Sequence, residues 1–263
     1  MGARRVPLFL LACGSFNPIT NQHMRLFELA RDHMHRTGRY QVVGGIVSPV
    51  SDGYGKRGLV LAKHRVAMAK LALLSSDWVA VDEWESQQPD WTETVVTMRY
   101  HQERVGKEHD RRAGMHGSSG NAAPLSSRPQ LKLLCGADFL DTFQIPGLWR
   151  DDHVEEVAGR FGLVCVSRGG HRPERVVHES DALSRHCRNI FLVREWLRNE
   201  TSATEIRRAL RRGRSVKYLI PDSVIEYIQR CDLYTEDSER RNEGTPLRPL
   251  TKQAQRPVER LDD

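Results

Sequence analysis

Short apolar runs alternate along the chain with segments whose apolar residues recur at helical spacing. Val6–Cys13, Gln41–Val47, Trp78–Val81, Leu131–Leu134, Gly162–Val166 and Asn189–Val193 have the length and composition of strands. Between the first two lies Met24–Arg36, where Leu26, Phe27, Ala30 and Met34 fall within an arc of about 100° at helical pitch. Ala62–Leu74 repeats the pattern with Val66, Ala69 and Leu73, and Thr92–Gln102, Ala203–Arg212 and Asp222–Arg230 read as further helices. Strands alternating with helices build right-handed crossovers, so the expected fold is α/β: a Rossmann-like parallel sheet flanked by helices on both faces. Ligands in such sheets bind beyond the carboxyl ends of the strands, which directs attention to the residues just after each strand.

Two stretches break the pattern. Val105–Pro129 is rich in Gly, Ser, Pro and charge without periodicity, and reads as a flexible surface insertion within a domain spanning residues 1–234. Thr235–Asp263 is charged and poor in apolar residues, as expected of a disordered tail. No run approaches the roughly 18–20 apolar residues of a membrane span. Val6–Cys13 is too short for a signal peptide, and the sixth position lacks the Ser or Thr of a myristoylation signal. The five cysteines (Cys13, Cys135, Cys165, Cys187, Cys231) are scattered and odd in number, which fits a reducing compartment without disulfides or a zinc site.

The formal net charge of +6 suits either nucleic acid or an acidic small ligand such as a polyphosphate. Arginines outside the motifs below lie in the insertion, on one helix face and in the tail, not in a stripe interleaved with aromatics, so no nucleic-acid partner is expected.

Gly14-Ser15-Phe16-Asn17-Pro18-Ile19-Thr20-Asn21-Gln22-His23 joins the first strand to the first helix. Gly14 is expected to let the backbone turn and to leave room for a ligand. Pro18 stiffens the loop, while Asn17 and Thr20 offer local side-chain hydrogen bonds. His23 falls on the first helical turn, where free N–H groups favour anions and an imidazole can stabilise charge on a transferring phosphate. Far along the chain, Ser202 followed by Glu205 forms a capping-box pattern, which starts a second helix with Thr204 and Arg207 near its N-terminus. Arg207 has the planar fork of donors that a triphosphate accepts.

The first segment resembles the nucleotidyltransferase superfamily signature ending in [H/T]-x-x-H, with Thr20 at the variable position, and SATEIR resembles that superfamily's second motif, ISSTxIR. Together with the segment carrying Trp84, Glu85, Ser86, Trp91, Glu93 and Thr94, the run LKLLCGAD, the pair Leu148-Trp149 and SATEIRRAL, the chain is similar to the eukaryotic nicotinamide/nicotinate mononucleotide adenylyltransferases from about Leu8 to Tyr234. The resemblance implies transfer of the adenylyl group of ATP to nicotinamide mononucleotide (NMN) or nicotinate mononucleotide, giving NAD or its deamido form and diphosphate. Attack would be direct and in line, without a covalent intermediate. It implies Mg²⁺ or another divalent cation carried by ATP rather than held by protein side chains, and a homo-oligomer. His23 and Arg207 are the implied catalytic residues. Gly14, Phe16, His23, Gly136, Asp138, Thr204, Glu205, Ile206 and Arg207 would hold ATP. Ser15, Phe16, Lys56, Trp91, Thr94, Leu148, Trp149, Arg168 and Asn199 would hold the mononucleotide, the two tryptophans enclosing its flat ring.

Rival readings are another nucleotidyltransferase, such as a pantetheine-phosphate adenylyltransferase or a cytidylyltransferase, and a basic nucleic-acid-binding protein. Trp91 and Trp149 argue against the first, whose substrates have no ring needing that clamp. An intracellular location is expected. LALLSSDW resembles the mitochondrial vertebrate form, with nucleus or cytoplasm as alternatives because the tail is closer to the nuclear form.

Overall fold

The computed structural model describes residues 5–56, 58–116, 127–167, 171–197, 199 and 201–235. Strands β1 (Val6–Gly14), β2 (Tyr40–Pro49), β3 (Val79–Val81), β4 (Gln130–Gly136), β5 (Leu163–Ser167) and β6 (Ile190–Arg194) form one sheet in the order β3-β2-β1-β4-β5-β6. Every pairing in it is parallel. Each of the six apolar runs therefore becomes a strand. The order grows outward from β1 in one direction and from β4 in the other, which opens a crevice at the carboxyl ends of that central pair.

Helices α1 (Asn21–Arg36), α2 (Ala62–Ala72), α3 (Thr94–His116), α4 (Ala137–Asp141), α5 (Asp151–Glu155), α6 (Pro173–Glu179), α7 (Asp181–Arg185), α8 (Ala203–Arg211) and α9 (Asp222–Arg230) connect and follow the strands. Alternate residues of each strand feed two separate cores, as the two-residue pleat requires. Leu8, Leu10, Val164 and Val166 pack with Phe27 and Met34 of α1, Met68 of α2, Ile206 of α8 and Val224 of α9. Leu11, Leu131, Leu133 and Leu163 pack instead with Val95 and Met98 of α3, Leu140 of α4 and Val176 of α6. Helices thus cover both faces of the sheet, the architecture expected from the sequence.

Two differences from the sequence reading have physical causes. The third helix does not stop at Gln102 but runs to His116, into the stretch read as an insertion. Its Val105 is buried at 4% exposure in the α3 core, a single anchor in an otherwise charged segment that periodicity does not register. Helices α4, α6 and α7 have only five to seven residues, too few to display a 3.6-residue repeat, and α5 continues into a π-helical turn, Glu156–Phe161, whose wider pitch breaks that repeat. Of the stretch read as an insertion, residues 117–126 lie outside the described residues, as does the expected tail beyond Thr235.

Val105→Asp places a carboxylate in this apolar site and should destabilise the protein by ~3 kcal/mol or more. For a chain of this size that lowers Tm by about 6–12 °C. An unchanged Tm by differential scanning calorimetry would mean that α3 beyond Gln102 adds nothing to the core.

Candidate active site

The crevice beyond β1 and β4 is a cleft of about 410 Å³. The loop leaving β1 forms its floor. Gly14 accepts a hydrogen bond from the Val50 N–H at 3.0 Å, tying the ends of β1 and β2 together. The sharp turn expected at Gly14 falls instead on Phe16, which adopts the left-handed region at φ +44°. A Cβ on Gly14 would meet only the Phe16 ring, at 3.5 Å, an ordinary contact. The Phe16 ring in turn meets the His23 ring edge-on at 5.3 Å.

Thr20 caps α1, and His23 occupies the third helical position. Thr20 Oγ1 accepts from the His23 N–H, and the Thr20 N–H donates to His23 Nδ1 at 3.0 Å. An Nδ1 that accepts a hydrogen bond carries a lone pair, so the ring proton sits on Nε2. Thr20 therefore fixes both the orientation and the tautomer of a histidine that lines the cleft.

Asn17 does not make the local bonds its position suggested. It is 3% exposed, and its side chain donates to Gly58 O at 2.7 Å while accepting from the Tyr234 hydroxyl at 2.8 Å and the Val60 N–H at 3.4 Å. Burial holds the Tyr234 phenol well above its ordinary range, against the pull of Arg207 and Arg65, so this hydroxyl remains a donor. The Asn17 carbonyl accepts from Arg207 Nη1 at 2.7 Å, which draws the second motif onto the first across 190 residues of sequence.

Ser202 caps α8 by accepting from the Glu205 N–H at 3.2 Å. The Glu205 side chain pairs with Arg208 rather than completing the box. Thr204 and Arg207 line the cleft. Glu205 is exposed and Ile206 is 1% exposed in the core, so of these four residues only two bring side chains to the site. Lys56 reaches the same cleft wall; burial lowers its pKa, and Arg207 nearby lowers it further, while Asp138 opposes both.

At the end of β4, a Cβ on Gly136 would stand 2.4 Å from Asp138 Oδ1, so glycine is what lets that carboxylate fold back beside the strand end. Ser15, Trp91 and Thr94 also line the cleft, and Trp91 lies 6.3 Å from the Tyr54 ring. Trp149 stands beside the wall, donating to Thr142 Oγ1 at 3.0 Å and packing on Phe139 and Phe143; Thr142 and Phe139 are part of the lining. Leu148 precedes it, and neither is among the lining residues. Asn199 Oδ1 accepts from the Thr201 N–H at 3.0 Å and shapes the approach to α8. Arg168 lies outside the described residues.

Two charged residues were not picked out from periodicity or spacing. Arg65 is fully buried on α2 and donates to Val60 O, Ser15 O, Val50 O and Asp52 Oδ1, knitting together the loops around Lys56. Glu85, 2% exposed on the cleft wall, accepts from the Ser48 hydroxyl at 2.5 Å. Its one sequence signal was its place just after β3, within the family-like WES segment. Burial pushes the Glu85 carboxyl up to about 7, although Ser48, the Arg65 charge and the Cys13 thiol pull it down. Burial likewise raises the Cys13 thiol, and Glu85 raises it further.

A carboxyl held above its ordinary 4.5 binds its proton more tightly in the folded chain than in the unfolded one. Its contribution to stability is full below pH 4.5 and disappears as pH rises to about 7. Relative to Glu85→Gln, the wild type should thus lose on the order of a few kcal/mol across that window. Denaturant titrations of the pair at several pH values measure this, and a pH-independent difference would contradict it.

Residues 11–209 match the Cytidylyltransferase-like family. The chain is 46% identical over 269 residues to a Bos taurus nicotinamide/nicotinic acid mononucleotide adenylyltransferase 1, an alignment covering 94% of this chain and 96% of that protein. It is 42% identical to a Drosophila melanogaster nicotinamide-nucleotide adenylyltransferase over 85% of this chain, spanning 60% of that longer protein. Its fold is like that of a Plasmodium falciparum nicotinic acid mononucleotide adenylyltransferase complexed with NaAD. The TM-score is 0.58 and the identity 17%, with 87% of this chain and 97% of that one covered.

Proposed function

The chain belongs to the nicotinamide/nicotinic acid mononucleotide adenylyltransferases, within the Cytidylyltransferase-like family, and from that premise we propose that its cleft joins ATP to NMN or nicotinate mononucleotide, with His23 acting on the transferring phosphate. The observation that carries this reading is the His23 ring. With Nδ1 occupied by the Thr20 N–H, its donor is Nε2, on a ring that lines the cleft between two helix N-termini.

An oxygen of the mononucleotide 5′-phosphate attacks the α-phosphorus of ATP. One P–O bond forms as the bond to the bridging oxygen breaks, and that electron pair leaves on diphosphate. The protein forms no bond to phosphorus in this scheme, so its contribution is positioning and charge stabilisation. His23 Nε2–H donates to the α-phosphate as negative charge builds up on its oxygens. Arg207, Thr204 and the N-terminus of α8 hold the departing phosphates. Lys56 neutralises the mononucleotide phosphate, and Asp138 accepts from ribose hydroxyls. Trp91, with Tyr54 beside it, covers the pyridine ring, whose partial positive charge suits an aromatic face. Trp149 supports that end through its contacts with Phe139 and Thr142. Among the described residues no group of three or more His, Cys, Asp or Glu side chains is placed to hold a metal. In this reading Mg²⁺ or another divalent cation arrives on the triphosphate and, when bound, offsets the charge of the diphosphate.

His23→Ala removes a preorganised donor and should lower kcat for NAD formation by roughly 10²-fold or more, with a small change in KM. Full activity in the variant would remove His23 from the mechanism. Wild-type protein that makes no dinucleotide from either mononucleotide would overturn the assigned reaction.

A further inference from the structure

Gln22 follows Asn21 at the start of α1 and borders the cleft, yet it is 3% exposed and, among the described residues, neither its amide nitrogen nor its amide oxygen has a hydrogen-bond partner. Leaving a buried amide unpaired costs more than a made hydrogen bond returns. The side chain can turn toward the cleft without breaking a hydrogen bond. A ligand that satisfied it would have to offer a donor and an acceptor side by side. A phosphate, which only accepts, would satisfy the nitrogen and leave the oxygen bare. The N7 edge of adenine, with its 6-amino donor beside a ring nitrogen acceptor, satisfies both, whereas the N7 edge of guanine presents two acceptors.

Position narrows the choice further. One turn along α1, Leu26 lines the same wall and offers an apolar surface for the face of a base. The preceding residue ties α1 to the chain beyond α8: the Asn21 backbone N–H donates to Leu219 O, and its side chain donates to Tyr218 O at 2.9 Å. The start of α1 that carries Gln22 is thus held against the segment that follows α8, and Gln22 shares the cleft lining with Thr204 and Arg207. Tyr54 and Trp91 come from the chain that follows β2 and β3. We propose that Gln22 is a specificity-determining residue that reads the base of ATP, its amide pairing with the 6-amino group and adjacent ring nitrogen of adenine. The inference rests on the adenylyltransferase reading of the cleft.

Calorimetric binding to the full chain tests it without requiring turnover. ATP is compared with purine riboside 5′-triphosphate, which lacks the 6-amino group, in the wild type and in Gln22→Met. The wild type should prefer ATP by about tenfold, the effect of one well-made pair of hydrogen bonds. In Gln22→Met the preference should shrink to within about twofold. An equal preference in both proteins would overturn the proposal. So would a change in the ratio of NMN to nicotinate mononucleotide binding, which would place the amide at the pyridine end instead. Because the substitution removes an unpaired amide, the Tm of the ligand-free variant should not fall. A marked fall would mean that the amide has a partner in the fold, and would also overturn the proposal. NAD formation by the wild type, assayed on the same preparation, separates failure of this assignment from failure of the reaction itself.

Discussion

The cleft depends on the hydrogen bonds that converge on Asn17. Immediately after the left-handed turn at Phe16, this one residue holds Gly58 and Val60 from the loop before α2, Tyr234 from the end of the described chain, and Arg207 from α8. Those partners lie between 41 and 217 residues away in sequence. Cutting any of these contacts strands a buried donor or acceptor, at a cost larger than the net value of the bond. Arg65 does the same for the neighbouring loop through three carbonyls and one carboxylate. The apolar cores build the sheet and its helices, and these two polar hubs fix the mouth of the site.

This division of labour has a consequence for the chemistry. A protein that accelerates phosphoryl-type transfer by positioning has to hold its donors still before the substrate arrives. Thr20 provides this for His23 by engaging Nδ1, and Asn17 provides it for Arg207 through its carbonyl. Gly136 lets Asp138 fold back where any other residue would collide with the carboxylate. His23 and Arg207 are thus each fixed by a second, polar residue, and Asp138 is given its place by a glycine.

The sheet was legible in the sequence because each strand is an apolar run bounded by turn residues, and the alternation of its faces survives in both cores. The two helix starts that border the cleft were legible because strand ends and helix caps carry local signatures, as Thr20 and Ser202 demonstrate. Long-range partnership was not. Asn17 reads as a local turn-former until the fold delivers Gly58, Tyr234 and Arg207 to it. Arg65 carries no local signature on α2, and only its four carbonyl and carboxylate partners explain its burial. Packing partners were also hidden: Trp91 lies on the cleft wall beside Tyr54, whereas Trp149 packs on Phe139 and Phe143, an arrangement that depends on how α4 and the loop after it fold. Glu205 and Ile206 share a motif with Thr204 and Arg207, but helical pitch turns one to solvent and the other to the core.

The reaction proposed for this cleft is a single in-line displacement on the α-phosphorus, with the protein forming no bond to it. The most direct measurement is the stereochemical course, using ATP made chiral at the α-phosphorus by sulfur substitution, with NMN as acceptor. One displacement predicts that the dinucleotide has inverted configuration at phosphorus. Retention would require a covalent adenylyl-enzyme and two displacements, and would contradict the account.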